Sequence, residues 1–236
     1  MSRRRYASAA ALATLATFTT WTAAAGAVSS TYIVDESQSV FAVLTHKAGI
    51  ASGLAHDHVV VAPQPEVKLE FDPQAPESTK FSFSVKVDSL EIDAPGPRAA
   101  WKGRFKALGI HSGELPVVSD SDRGKVRVAM LGDSQLDREK FPEIRAEVVK
   151  LEAPSAGAAA NSGAWNVGLR VTIHGKTVER QLPASWSEKD GVLRAEIYGE
   201  LHFEEFGIEP YSAMLGAIRN NDMFHIYVNV VARRAP

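Results

Sequence analysis

Residues 163–177 read "GAWNVGLRVTIHGKT". Trp165, Val167, Leu169, Val171 and Ile173 alternate with Asn166, Gly168, Arg170, Thr172 and His174. A period of two sends successive side chains to opposite faces of a β-strand, so this stretch predicts a strand with one apolar face. His174-Gly175-Lys176-Thr177 follows at once. Glycine takes a positive φ without steric penalty, so Gly175 predicts a tight hairpin into the next strand.

The same period recurs along the chain. "TKFSFSVKVDSLEI" (79–92) sets Phe81, Phe83, Val85 and Val87 against Lys80, Ser82, Ser84 and Lys86. "EVKLEFD" (66–72) alternates Val67, Leu69 and Phe71 with Lys68 and Glu70, and "SVFAVLTH" (39–46) places Phe41, Val43 and Thr45 together. Two long runs, 191–206 and 222–234, add further strands. "EKDG" (188–191) is a second hairpin signal, and the prolines of 62–65 and 72–78 stop strands. "APSAGAAANSG" (153–163) reads as a connecting loop. Helix signals are few. Trp101, Phe105 and Leu108 in 97–110 have helical spacing, and Ser119 or Asp120 caps a second segment closed by Gly132 and Asp133. The expected fold is all-β: a closed antiparallel barrel of about 8–10 strands with a short helical insertion at about residues 97–133. Closure removes exposed sheet edges, which favours a barrel over an open sandwich.

Composition narrows the function. Of the 236 residues, 45% are hydrophobic and 23% charged, an ordinary globular balance. "MSRRRYASAAALATLATFTTWTAAAGA" has a basic start, a short apolar stretch and Ala25-Gly26-Ala27, the layout of a secretory signal. Cleavage is expected after Ala27, leaving one domain over residues 28–236. The general export route and the twin-arginine route both stay open. Removal of residues 1–27 takes three arginines and no acid, so 23 basic and 28 acidic residues remain, a net −5. Nothing in that balance attracts nucleic acid. Cysteine is absent, which excludes disulfides, thiol nucleophiles and Cys-based zinc sites. An exported, cysteine-free chain points to a periplasmic or secreted protein. No further segment is apolar and long enough for a transmembrane helix; transient membrane contact and a homodimer remain open.

Three stretches carry a family likeness: "YIVDESQSVFAVLTHKAG" (32–49), "LDREKFPEIRAEV" (136–148), and "VTIHGKTVERQLP" (171–183) with residues 206–232. In order and spacing they resemble the YceI-like family of exported, lipocalin-like barrels. The resemblance covers about residues 31–233 and implies a non-catalytic carrier of polyisoprenoid or related amphiphilic lipids. Two departures stand out. The family commonly has histidine where Lys47 stands, with His46 beside it here, and Leu54 with His-Asp-His replaces an aromatic and a polar loop after Gly53.

"GLAHDHVVV" (53–61) is the main polar motif. If it forms a strand, His56 and His58 share one face and Asp57 takes the other. Three readings stand: polar barrel residues, contacts to a ligand headgroup, or two ligands of a divalent metal. A metal needs a third or fourth donor that the sequence does not supply nearby, and no other cofactor is implied. Catalysis has no motif: there is no G-x-S-x-G and no H-E-x-x-H. Phe41, Val43, Phe81, Phe83, Val85, Trp165 and Tyr198 read first as ordinary core. The resemblance implies that they line a cavity for an apolar or amphiphilic ligand, with His56 and His58 at its polar end.

Overall fold

The computed structural model describes residues 29–154 and 165–236. The leader expected over residues 1–27 and most of the loop expected at 153–163 lie outside the described residues.

Twelve strands form among the described residues: β1 (Ser30–Val34), β2 (Val40–Ala48), β3 (His58–Val61), β4 (Glu66–Phe71), β5 (Lys80–Lys86), β6 (Glu91–Ile92), β7 (Glu143–Glu152), β8 (Trp165–Ile173), β9 (Lys176–Lys189), β10 (Val192–His202), β11 (Ser212–Ala213) and β12 (Ile218–Arg234). Eight close a ring in the order β1, β4, β5, β7, β8, β9, β10, β12, and β12 pairs back onto β1. Every pairing in this ring is antiparallel. β12 carries two neighbours end to end on one edge. Val34 pairs Ala232 at one end, while β2 pairs residues 219–229. β2 then continues the sheet through β3 to β6.

Both hairpin signals act as the sequence predicts. His174 and Gly175 have φ of 51° and 71°, and Asp190 and Gly191 have 53° and 76°. Two successive positive φ values match the right-handed twist of the flanking strands. A Cβ at position 175 would stand 2.5 Å from the Phe141 ring, so close packing also requires this glycine.

The strands' inward faces bury two continuous clusters. One gathers Tyr32, Leu69, Phe71, Leu193 and Ala232; the other gathers Trp165, Val167, Leu182, Leu201, Phe206 and Phe224. A third cluster lies outside the ring. There α1 (Pro95–Ala107) packs Phe105 onto Ala42, Leu44, Val59, Val61 and Tyr227. β2 and β3 are thus covered on both faces, which explains their unbroken apolar runs.

α1 begins at Pro95, two residues before the expected start. Proline suits the first helical turn because its missing N–H has no partner there in any case. α2 (Asp120–Leu131) is capped by Ser119, whose Oγ accepts from the Asp122 N–H at 3.1 Å, and it stops at Gly132.

Candidate functional site

The barrel is not filled along its whole length. One end is packed with aromatic rings: Phe71 stands 5.0 Å from Trp186 and 6.1 Å from Tyr32, and Trp165 lies 5.7 Å from Trp186, centroid to centroid. The other end encloses a cavity of about 310 Å³. Phe41 and Val43 of β2, Val60 of β3, Phe81, Phe83 and Val85 of β5, and Leu169, Val171 and Ile173 of β8 face it. Val126 and Met130 of α2 close over it, and Phe203, Phe206 and Ile208 complete the wall near the open end.

Six of the nine side chains expected at a ligand site come together here: Phe41, Val43, Phe81, Phe83, Val85 and His58. Three do not. Trp165 is on the inward face of β8 but at the filled end, against Trp186. Tyr198 points outward, because alternation along β10 gives the inward position to Ile197; Tyr198 packs beside the α1 cluster. His56 is exposed and precedes β3, which begins only at His58, so the two histidines are not same-face residues of one strand. The metal reading of His56 and His58 loses its geometric premise with that strand. Among the described residues, no group of three or more His, Asp or Glu side chains is placed to hold a metal ion.

His58 has a different partner. Its Nδ1–H donates to Asp93 Oδ2 at 2.6 Å. Asp93 is fully buried, accepts from the Val59 N–H at 2.9 Å, and pairs with the buried Arg98. Arg98 also donates to the carbonyls of Asp57 at 3.0 Å and Pro116 at 3.1 Å. A buried carboxylate is stable only when paired and hydrogen-bonded, and this one meets both conditions. The arrangement commits Nδ1 of His58 and leaves Nε2 without a protein partner among the described residues. Thr45 is directly opposite His58 in the β2–β3 pair. Its Oγ1 is buried with no hydrogen-bond partner, on the cavity wall. Thr45 and His58 thus make a small polar spot on a mostly apolar wall, which elsewhere carries Lys125, Gln135 and Asn220.

Asp57 precedes β3 and makes its contacts away from the cavity. Its carboxylate accepts from the Lys47 N–H at 2.7 Å and from His111 Nε2–H at 2.8 Å. Burial opposes its charge, but these two bonds prevail and hold its carboxyl below the ordinary range. Close by on the outer wall, His46 Nε2 and His225 Nδ1 share a hydrogen bond of 2.8 Å. Burial lowers the pKa of both; their mutual repulsion adds to the effect on His46, while Glu200 partly opposes it on His225.

Phe206, Ile208 and Tyr211 also line the cavity, although none of them is among the ligand contacts expected from the sequence. The available signal was the spacing Phe203, Phe206 across a short 3-10 turn at Glu204–Phe206, which puts both rings on one side.

Residues 32–232 match the model of the YceI-like domain. Among solved structures, Burkholderia cenocepacia BcnA is similar at a TM-score of 0.56 and 13% identity, over 84% of this chain and 99% of that one. The Campylobacter jejuni YceI protein is similar at a TM-score of 0.51 and 14% identity, over 75% and 85%. A polyisoprenoid binding domain from Saccharophagus degradans aligns at 0.48 and 8% identity, over 88% and 100%, a likeness too slight to carry an argument. No curated protein matches the chain in sequence.

Proposed function

The chain belongs to the YceI-like domain family, and from that premise we propose that it is an exported, non-catalytic carrier of an apolar or amphiphilic lipid. The observation that carries this reading is the cavity of about 310 Å³ inside the barrel, walled by Phe41, Phe83, Leu169, Val171 and their neighbours. An apolar tail gains about 0.8 kcal/mol for each CH₂ it buries, so such a wall can hold a lipid with few polar contacts. Thr45 and His58 would meet a ligand's polar atom. The hydroxyl can donate or accept, and the free imidazole nitrogen can accept when neutral and donate when protonated. Isoprenoid-type lipids are the class that the family resemblance implies. Export rests on the basic and apolar layout of residues 1–27, and would place the carrier in a periplasm or outside the cell.

The reading is tested by organic extraction and mass spectrometry of the protein purified gently from its own host. The expected result is one apolar species in near-stoichiometric amount, lost when Val43→Phe narrows the cavity. Recovery of no lipid, or of the same mixture from wild type and variant, would refute it.

A further inference from the structure

Five of the nine large apolar side chains exposed among the described residues belong to two adjoining loops. Ile50 and Leu54 stand on the loop after β2, and Tyr211, Met214 and Leu215 on the β11–β12 hairpin. Ile50 is 98% exposed and Leu215 is fully so. A cluster of this kind is uncommon on a surface that faces only water.

The two loops form one surface because their backbones touch. The Ala51 N–H donates to the Ala217 carbonyl at 2.9 Å. Gly49 has φ of +94°, and a Cβ there would stand 2.4 Å from the Ala217 oxygen. Only glycine permits that approach. Met214 and Leu215 both hold positive φ values, 50° and 53°. That conformation disfavours both residues, and here it presents both side chains to solvent.

Two cations stand behind the tips. Lys47 and Arg219 are exposed just behind them, and Arg219 makes no ion pair among the described residues. The stretches 46–56 and 210–221 contain no acid, although Asp57, Glu209 and Asp222 border them. Apolar tips backed by basic residues match the interface of an anionic bilayer, where side chains enter the acyl boundary and cations meet phosphates. Position agrees. Tyr211 and Asn220, joined by a 2.9 Å backbone hydrogen bond at the base of the hairpin, both line the cavity. The tips project from its open end.

We propose that loops 49–54 and 213–217 are a membrane-docking lip that seats the open end of the barrel on an anionic lipid surface. Docking depends on the loops and not on the cavity's contents, so extraction of no lipid would leave this inference standing, and the reverse holds too.

The test is sedimentation of the purified protein with vesicles of phosphatidylethanolamine and phosphatidylglycerol, and with vesicles of phosphatidylcholine alone. Binding is expected to the anionic vesicles and to weaken as salt is raised. Ile50→Ser with Leu215→Asn should lower the partition coefficient at least about tenfold, since each buried apolar side chain contributes on that scale. Asn is chosen because it tolerates positive φ. Ile33→Ser is the control: Ile33 is exposed but pairs with Arg233, at the other end of β12. It should bind as wild type does. Light scattering without vesicles reads whether the lip joins two copies instead. No vesicle binding, equal binding by the double variant, or self-association that the double variant alone abolishes without vesicle binding would each overturn the proposal.

Discussion

The two ends of this barrel are built from the same strands, yet one is solid and the other hollow. At the solid end Phe71 touches Tyr32 and Trp186, and Trp165 meets Trp186 from the next layer. At the hollow end Phe83 packs on Phe41 at 4.9 Å, and both rings also face open space. The apolar alternation is equally regular in both halves. Side-chain size at the inward positions, together with the helix and loops that close the far end, makes the difference. Periodicity decides which side chains face inward; it does not decide whether they meet.

The difference can be broken most strongly by one matched pair of substitutions. Phe71→Ala should destabilise the protein by about 3–5 kcal/mol, the usual result for a fully packed phenylalanine. Phe83→Ala should lose about half as much, because part of its ring already lacks neighbours. Chemical denaturation of the two variants measures the gap, and equal losses would mean that the hollow end is packed in solution.

The reverse pair comes next. Val167, buried among the side chains of the solid end, has no space for growth. Val167→Phe should therefore lose about 1–3 kcal/mol by overpacking, whereas Val43→Phe grows into the cavity and should lose less than about 1 kcal/mol.

Much of this contrast was hidden in the sequence for a physical reason. Trp165 and Leu169 are inward residues of one strand and look alike in pattern, but Trp165 belongs to the plug and Leu169 to the cavity wall. The ring of strands, the two hairpins and the Ser119 cap were legible because each follows from local backbone preference. Tyr198 faces outward, as the alternation of β10 allows, because Ile197 takes the inward position. The pairing of His58 with Asp93, 35 residues away, had no local signal at all. One further feature is legible in the sequence. Val40–Leu44 and Val59–Ala62 are apolar on both faces, which is the mark of a strand covered from outside as well as inside. That outer cover is α1.

A smaller effect is expected from the polar spot in the hollow end. Thr45 Oγ1 is buried and unpartnered, so Thr45→Val should stabilise the empty protein by about 1 kcal/mol. In protein loaded with its extracted lipid, the same change should give no gain, because the hydroxyl then has a partner. Thermal denaturation of empty and loaded samples compares the two.

The smallest expected effect lies on the outer wall. His46 and His225 are held below the imidazole reference of 6.5, so the native state binds fewer protons than the unfolded chain near that pH. Their contribution is complete above about 6.5 and is lost as pH falls below it toward their lowered folded values. Denaturation midpoints should therefore decline on acidification through this window. His46→Gln keeps a hydrogen-bond donor for His225 and should make that decline shallower.

The most direct test of the central claim is a crystal structure of the protein purified from its own host without detergent. The account predicts continuous density for an apolar chain between Phe83 and Leu169, with a polar atom within hydrogen-bonding distance of Thr45 Oγ1 or His58 Nε2. An empty or water-filled cavity in protein whose barrel is otherwise unchanged would contradict it.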